Sequence, residues 1–166
     1  MNASIISFCH WLEDGAVGTA IRESVWGFSI LVLIHVLALG LSAGTIAAVD
    51  LRLLGRGMRS EPVSAVLGQV LPWTWTGFAI MAVSGGLVFV SEAERCYTSV
   101  SFRIKMALML LAGLNALVFH LTIYRRVAAW DRDPVTPLRA KFAGLSSLVL
   151  WLGVITAGRF VGYEDA

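Results

Sequence analysis

Two histidines stand inside long apolar runs: His35 in SILVLIHVLALGLSAG (Ser29 to Gly44) and His120 in GLNALVFHLTIYRR. A bilayer interior offers no water to an imidazole, so an ionisable group at that depth is costly and usually functional. The plain alternative is a hydrogen bond to a neighbouring helix, a role that Ser, Thr or Asn fills more readily. Neutral imidazole is the commonest metal ligand and holds haem iron in many helical bundles. A bare zinc or copper ion would want further ligands, yet the apolar runs hold no cysteine and the one carboxylate near the histidines is Asp50. Haem brings four ligands of its own, so this composition points to haem b, with His35 and His120 as candidate axial ligands of the metal.

The two positions differ in depth. His35 and His120 enter their runs from the same side, and His120 lies about seven residues deeper, roughly 10 Å at the rise of an α-helix. That difference favours two haems over one shared iron, with one or two per protomer open. Met81 is a candidate second ligand near the depth of His35. Haem propionates want cationic partners. Arg159, Lys105 and Arg22 are candidates at one end, Arg159 foremost because it sits deepest in apolar context (ITAGRFVGY). Arg52, Arg125 and Arg126 stand at the other end, and ordinary snorkelling end-caps are the alternative for all of them. Asp50, in AAVDLRLLG, reads as an interfacial ion pair with a nearby arginine rather than a proton-uptake group, and Asn115 as a bond to a neighbouring helix.

The elements that must position these residues are spans. The 166 residues are 57% hydrophobic and 14% charged, with mean hydropathy +0.76, against about a quarter charged in a soluble domain. Four runs reach the length of about 20 residues needed to cross a bilayer: 26–49, 71–90, 104–124 and 142–161. The expectation is an all-α, integral membrane four-helix bundle forming a single domain over 1–166. ISFCHWLEDG precedes it as an amphipathic interfacial helix with Ile5, Phe8, Trp11 and Leu12 toward lipid. Pro72 is placed near the first turn of the second span, where a missing N–H is harmless, with Trp73 and Trp75 in an aromatic belt. The start lacks a positive n-region and is expected to be retained.

Cation counts suggest orientation. Arg52, Arg56, Arg59, Arg125, Arg126, Arg132, Arg139 and Lys141 fall on one side, eight in all; Arg22, Arg95, Arg103, Lys105 and Arg159 make five on the other. The richer side is read as cytoplasmic, which puts both termini outside, in a bacterium the periplasm. Cys9 and Cys96 then face an oxidising compartment, where either a disulfide or two free thiols is allowed. A net charge of +2 without a basic tract gives no reason to expect nucleic acid. The GxxxG of GLSAG and the small stripe Gly144, Ser147, Trp151, Gly158 permit a homo-oligomer.

IHVLALGLSAGTIAAVDLRLLG, LPWTWTGF, FRIKMALMLLAGLNALVFH and LSSLVLWLGVITAGR together resemble an uncharacterised bacterial family of small four-span inner-membrane proteins, catalogued as a domain of unknown function. The resemblance covers nearly the whole chain and includes His35, His120, Asp50 to Gly55 and Ala157 to Arg159. It implies a fold and positions but no activity. More distantly the layout is similar to four-span b-type cytochromes and to copper-resistance membrane proteins. The leading expectation is an electron carrier of the inner membrane that works between a quinol or dehydrogenase and a periplasmic acceptor, with a quinone or a redox protein as partner besides the lipid bilayer. Enzyme status stays open. A copper handler, with Cys9, His10, Cys96, Glu92 and Glu94 as capture ligands, and an anchor subunit without chemistry are the alternatives.

Overall fold

The computed structural model describes residues 3–58, 60–133 and 135–164, which form helices and loops without a strand. Arg59, counted above among the cytoplasmic cations, lies outside the described residues. The helices are α1 (Ala3–Glu13), α2 (Ala16–Glu23), α3 (Gly27–Leu53), α4 (Val63–Ser91), α5 (Ala93–Thr98), α6 (Val100–Val118) and α7 (Leu138–Val161). A π-turn, Phe119–Ile123, and a 3-10 segment, Tyr124–Ala129, prolong α6. Among the described residues four elements are long and apolar enough to cross a membrane: α3, α4, α7 and the stretch Val100–Ala129. The protein is an all-α four-helix bundle of membrane type.

The spans run longer than the apolar runs that announce them. At 1.5 Å per residue the 27 residues of α3 extend about 40 Å, beyond the roughly 30 Å of a hydrocarbon core. Helix α3 stops at Gly55, whose φ of 70° suits the left-handed position after a helix end. Pro72 lies inside α4 and not in its first turn. The less apolar segment from Val63 to Val70, bounded by Pro62, belongs to the helix because Val63, Val66 and Leu67 are buried. The amphipathic start is two helices broken at Asp14–Gly15. On α1, Phe8 and Trp11 stack at 5.7 Å and face outward, while Cys9 on the opposite side is buried.

The helix order in space is α4–α3–α7–α6, with α3 packed on α4 and α7 on α6 as the two tightest pairs. Small residues make those approaches. Between α3 and α4, Ala38 and Ser42 pack on Gly77 and His35 packs on Gly85; Thr74 donates to Thr45 at 2.8 Å. These α3 positions, 35, 38, 42 and 45, share one helix face. Gly144 admits the α3 backbone at Asp50, and Gly153 and Gly158 admit Leu108 and Lys105 of α6. The stripe on α7 therefore packs within the protomer. Gly40 and Gly44, the GxxxG pair, face open space: no described atom lies within 4 Å of where a Cβ would stand on either. Helices α4 and α6 hardly meet, and between them the bundle holds a cavity.

We call the end bearing α1, α2 and α5 the capped end, and the end with the α3–α4 and α6–α7 connections the loop end. Acidic side chains cap two span starts from a distance. Asp131 accepts from the Ser64 N–H (2.8 Å) and hydroxyl (2.5 Å) at the start of α4. Glu164 accepts from the Ser101 N–H (2.9 Å) and hydroxyl (2.5 Å) at the start of α6. Both meet N–H groups that lack an intrahelical partner.

Candidate functional site

The cavity has a volume of about 540 Å3 and is walled by all four spans. Ile46, Val49, Asp50 and Leu53 line it from α3, and Leu67, Leu71, Thr74, Trp75 and Phe78 from α4. Met109, Ala112, Gly113, Asn115, Ala116, Leu117, Phe119 and His120 line it from α6 and its continuation; Ala143, Ser147 and Trp151 from α7. The volume lies in the range of small-molecule sites, and the pattern, apolar and aromatic walls with few polar groups, is that of such sites. Trp75 lines the cavity yet is 64% exposed, so the cavity reaches the outer surface of the bundle beside it.

His120 is placed by local structure. It is the second residue of the π-turn, a widening that recurs at functional sites. Phe119, buried in the loop-end core with Leu53, Val63, Trp130 and Ala140, anchors the turn, and the His120 ring lies 5.5 Å from the Phe119 and Tyr124 rings. Its Nδ1 is 3.0 Å from the Ala116 carbonyl. A carbonyl only accepts, so Nδ1 is the donor, and in the neutral imidazole the lone pair is then on Nε2. Metal-binding histidines are oriented in this way.

Asp50 shares the cavity. It is 5% exposed, has Ser147 of α7 beside it, and its Oδ2 has no hydrogen-bond partner among the described residues. The expected ion pair is likewise absent among them. Asp50 and Arg52 are two apart on a helix and so point to opposite sides. Arg52 turns to the connection, where its Nε donates to the Glu61 carbonyl at 2.8 Å, while Asp50 turns into the bundle. Two other polar lining groups are engaged with partners: Asn115 donates to the Ala143 carbonyl of α7 at 3.0 Å, as read from the sequence, and Thr74 donates to Thr45 and the Val70 carbonyl.

His35 does not line this cavity. Its Nδ1 is 3.1 Å from Ser84 Oγ, which itself donates to the Ile80 carbonyl at 2.7 Å, so Ser84 accepts from the imidazole. Along α3 the fifteen residues from His35 to Asp50 correspond to about 22 Å, so His35 stands toward the capped end and His120 toward the loop end. Met81 is buried beneath His35 in the core of Ala38, Ala43, Trp151 and Val154.

The three cations proposed for propionates all stand at the capped end. Arg159 is exposed, donates to the Tyr163 hydroxyl at 2.5 Å and lies 4.7 Å over its ring. Lys105 lies along Gly158. Arg22 pairs with Glu13 (3.7 Å) and Asp14 (3.5 Å). None of them lines the cavity, nor does any other lysine or arginine among the described residues. Of the metal-capture set, the structure gathers His10 and Glu94 with Glu13, their donor atoms within 4.8 Å of one another. The N–H of Glu94 donates to Glu13, and His10 lies 3.5 Å from Glu94. Glu92 pairs with Arg95 instead. Cys9 and Cys96 are both buried and free.

Fold and cavity define a four-span membrane-type bundle with a chamber among its spans toward the loop end. Residues 8–164 match the model of a family of unknown function, DUF6644, and the chain belongs to that family. No curated protein and no solved structure matches it.

The sequence pointed to His120 and marked Asp50 as the one carboxylate near the histidines, but read it as half of an interfacial ion pair. The signal for Asp50 was present: a carboxylate two residues from an arginine on one helix cannot face it, and the residue three or four positions away on that face is apolar.

Proposed function

We propose that the protein serves electron transfer in the bacterial inner membrane by holding a flat, apolar redox molecule in the cavity at His120. One observation carries this reading: an imidazole with a lone pair on Nε2 stands in the wall of a mostly apolar chamber inside a membrane-type bundle. Such a group either ligates a metal or accepts a hydrogen bond, and both uses serve redox molecules. The excess of Lys and Arg at the loop end supports a cytoplasmic position for that end and an outer position for the termini.

Haem b is the second reading, favoured by the tautomer of His120. His120 would hold the iron, and haem would supply one-electron chemistry when bound. The iron side fits. The propionate side does not: the lining offers no cation and one buried carboxylate, and Arg125 and Arg126, the nearest cations along the chain, follow His120 at the end of the span.

The test is analysis of protein purified from membranes in mild detergent. Absorption spectra before and after reduction report haem, and organic extraction with chromatography reports bound quinones. The expected result is one of these molecules in stoichiometric amount, lost in His120→Leu. A wild-type protein that carries neither, and takes up neither when they are added, would overturn the reading.

A further inference from the structure

We infer that the molecule the cavity accepts is a quinol, a reduced flat ring whose hydroxyl groups donate to the free oxygen of Asp50, with His120 as a second acceptor. This rests on the reading that the cavity holds a redox molecule, and it follows from the disagreement just described between haem and the lining.

The argument is one of complementarity. Asp50 lines the cavity, and its Oδ2, closed to solvent, meets no donor among the described residues, so a ligand reaches it through a turn of the carboxylate. A buried carboxylate oxygen without a donor is costly, and the cost is removed when a ligand supplies an O–H or N–H. His120, half-buried in the same wall, donates from Nδ1 to the Ala116 carbonyl, which leaves Nε2 of the neutral ring as an acceptor. Asn115 and Thr74 are engaged with neighbouring helices. A ligand that fits brings hydroxyl donors on an otherwise apolar frame. Haem propionates, fatty-acid carboxylates and lipid phosphates bring negative charge toward Asp50 and do not fit. An oxidised quinone brings two carbonyl acceptors and faces Asp50 acceptor to acceptor. The quinol alone of these presents donors.

Shape and access agree. Trp75, Phe78 and Trp151 give aromatic walls against which a flat ring packs. Trp75, cavity-lining and largely exposed, marks an entrance from the bilayer, where quinols reside. The site binds the reduced form more tightly than the oxidised form because Asp50 discriminates between O–H and C=O.

The test uses full-length protein in lipid nanodiscs, with a short-chain benzoquinol under anaerobic reducing conditions and the matching benzoquinone, binding being read by quenching of tryptophan fluorescence. The wild type is expected to bind quinol about tenfold tighter than quinone, the discrimination of one hydrogen bond. Asp50→Asn, whose amide both donates and accepts, is expected to bring the two affinities within about threefold while either form still binds. Equal affinities in the wild type, or an unchanged ratio in Asp50→Asn, would overturn the inference; should that variant not fold, the wild-type ratio decides by itself. Failure of quinol, quinone and added hemin alike would instead overturn the cavity reading beneath it.

Discussion

The imidazole of His35 lies against Gly85 so closely that a methyl group on that glycine would stand 2.8 Å from Cε1. With the bond to Ser84 at 3.1 Å, this contact fastens α3 to α4 at the capped end. His35 therefore acts on helix packing, and Gly85 is the residue that makes room for it. Gly85→Ala is expected to lower stability in detergent by about 1–3 kcal/mol, the range for overpacked cores. His35→Ala in the same chain frees that space and is expected to recover part of the loss. Thermal unfolding of the two single variants and the double variant checks this; purely additive losses would show that the ring and the glycine do not share the space.

The α6–α7 connection is tied to α4 through Asp131. Burial pushes the Asp131 carboxyl up, but the Ser64 hydroxyl, the N–H groups of Ser64 and Val63, and the charge of Arg132 outweigh it and hold the group below its ordinary value. A carboxyl whose pKa is lower folded than unfolded stabilises the fold above its unfolded value near 4, and that contribution is lost as pH falls through the folded value. Asp131→Ala is expected to cost about 1 kcal/mol at pH 7, the usual value of a helix cap. The gap between variant and wild type closes as the pH falls below the carboxylate range. A gap that is constant from pH 7 to pH 3 would mean that the charge of Asp131 contributes nothing.

Much of this architecture is legible in the residues. The four spans and the amphipathic start follow from apolar runs and from the placement of Ile5, Phe8 and Trp11, and His35 and His120 stand out because imidazole is foreign to a bilayer. What stayed hidden is which face of each span packs. Helix α3 is apolar on nearly every side, so lipid-facing Leu33 and Leu37 look like core residues in the sequence. Within the protomer the close approaches fall at Gly77, Gly85 and Gly144, while Gly40 and Gly44 face outward, where the GxxxG pair still permits self-association. The π-turn at His120 has no Pro or Gly to announce it; the buried side chain of Phe119 accompanies it, and burial is a tertiary fact.

The capped end gives a pH-dependent observable. Burial pushes the Cys96 thiol up to about 11, the charge of Glu92 adds to this, and Lys105 and Arg95 oppose it. Burial, with Glu13 and Glu94, also raises Cys9. The thiolate is the reacting species, so at neutral pH Cys96 is expected to alkylate about a hundredfold more slowly than an ordinary thiol. Its rate should rise about tenfold per pH unit between pH 7 and pH 10 without levelling. Mass spectrometry after timed iodoacetamide treatment reads both. A rate that levels near pH 8.5 would show that α5 leaves the thiol in water.

The cavity itself can be closed without touching its polar groups. Gly113 lines the chamber, and nothing stands within 4 Å of the point where its Cβ would be. A leucine there grows into the open space beside α6, and replaces the poorest helix former short of proline with one of the best, worth just under 1 kcal/mol in an exposed helix interior. Gly113→Leu is therefore expected to unfold at the same temperature as the wild type or higher. It should at the same time lose at least about tenfold in affinity for the bound redox molecule, since a filled chamber excludes the ring. The two readouts move in opposite directions, which a general loss of structure cannot produce. Equal binding by Gly113→Leu and wild type would place the molecule elsewhere on the bundle, and reduced stability together with reduced binding would mean that α6 and α4 meet more closely at this point than the chamber implies.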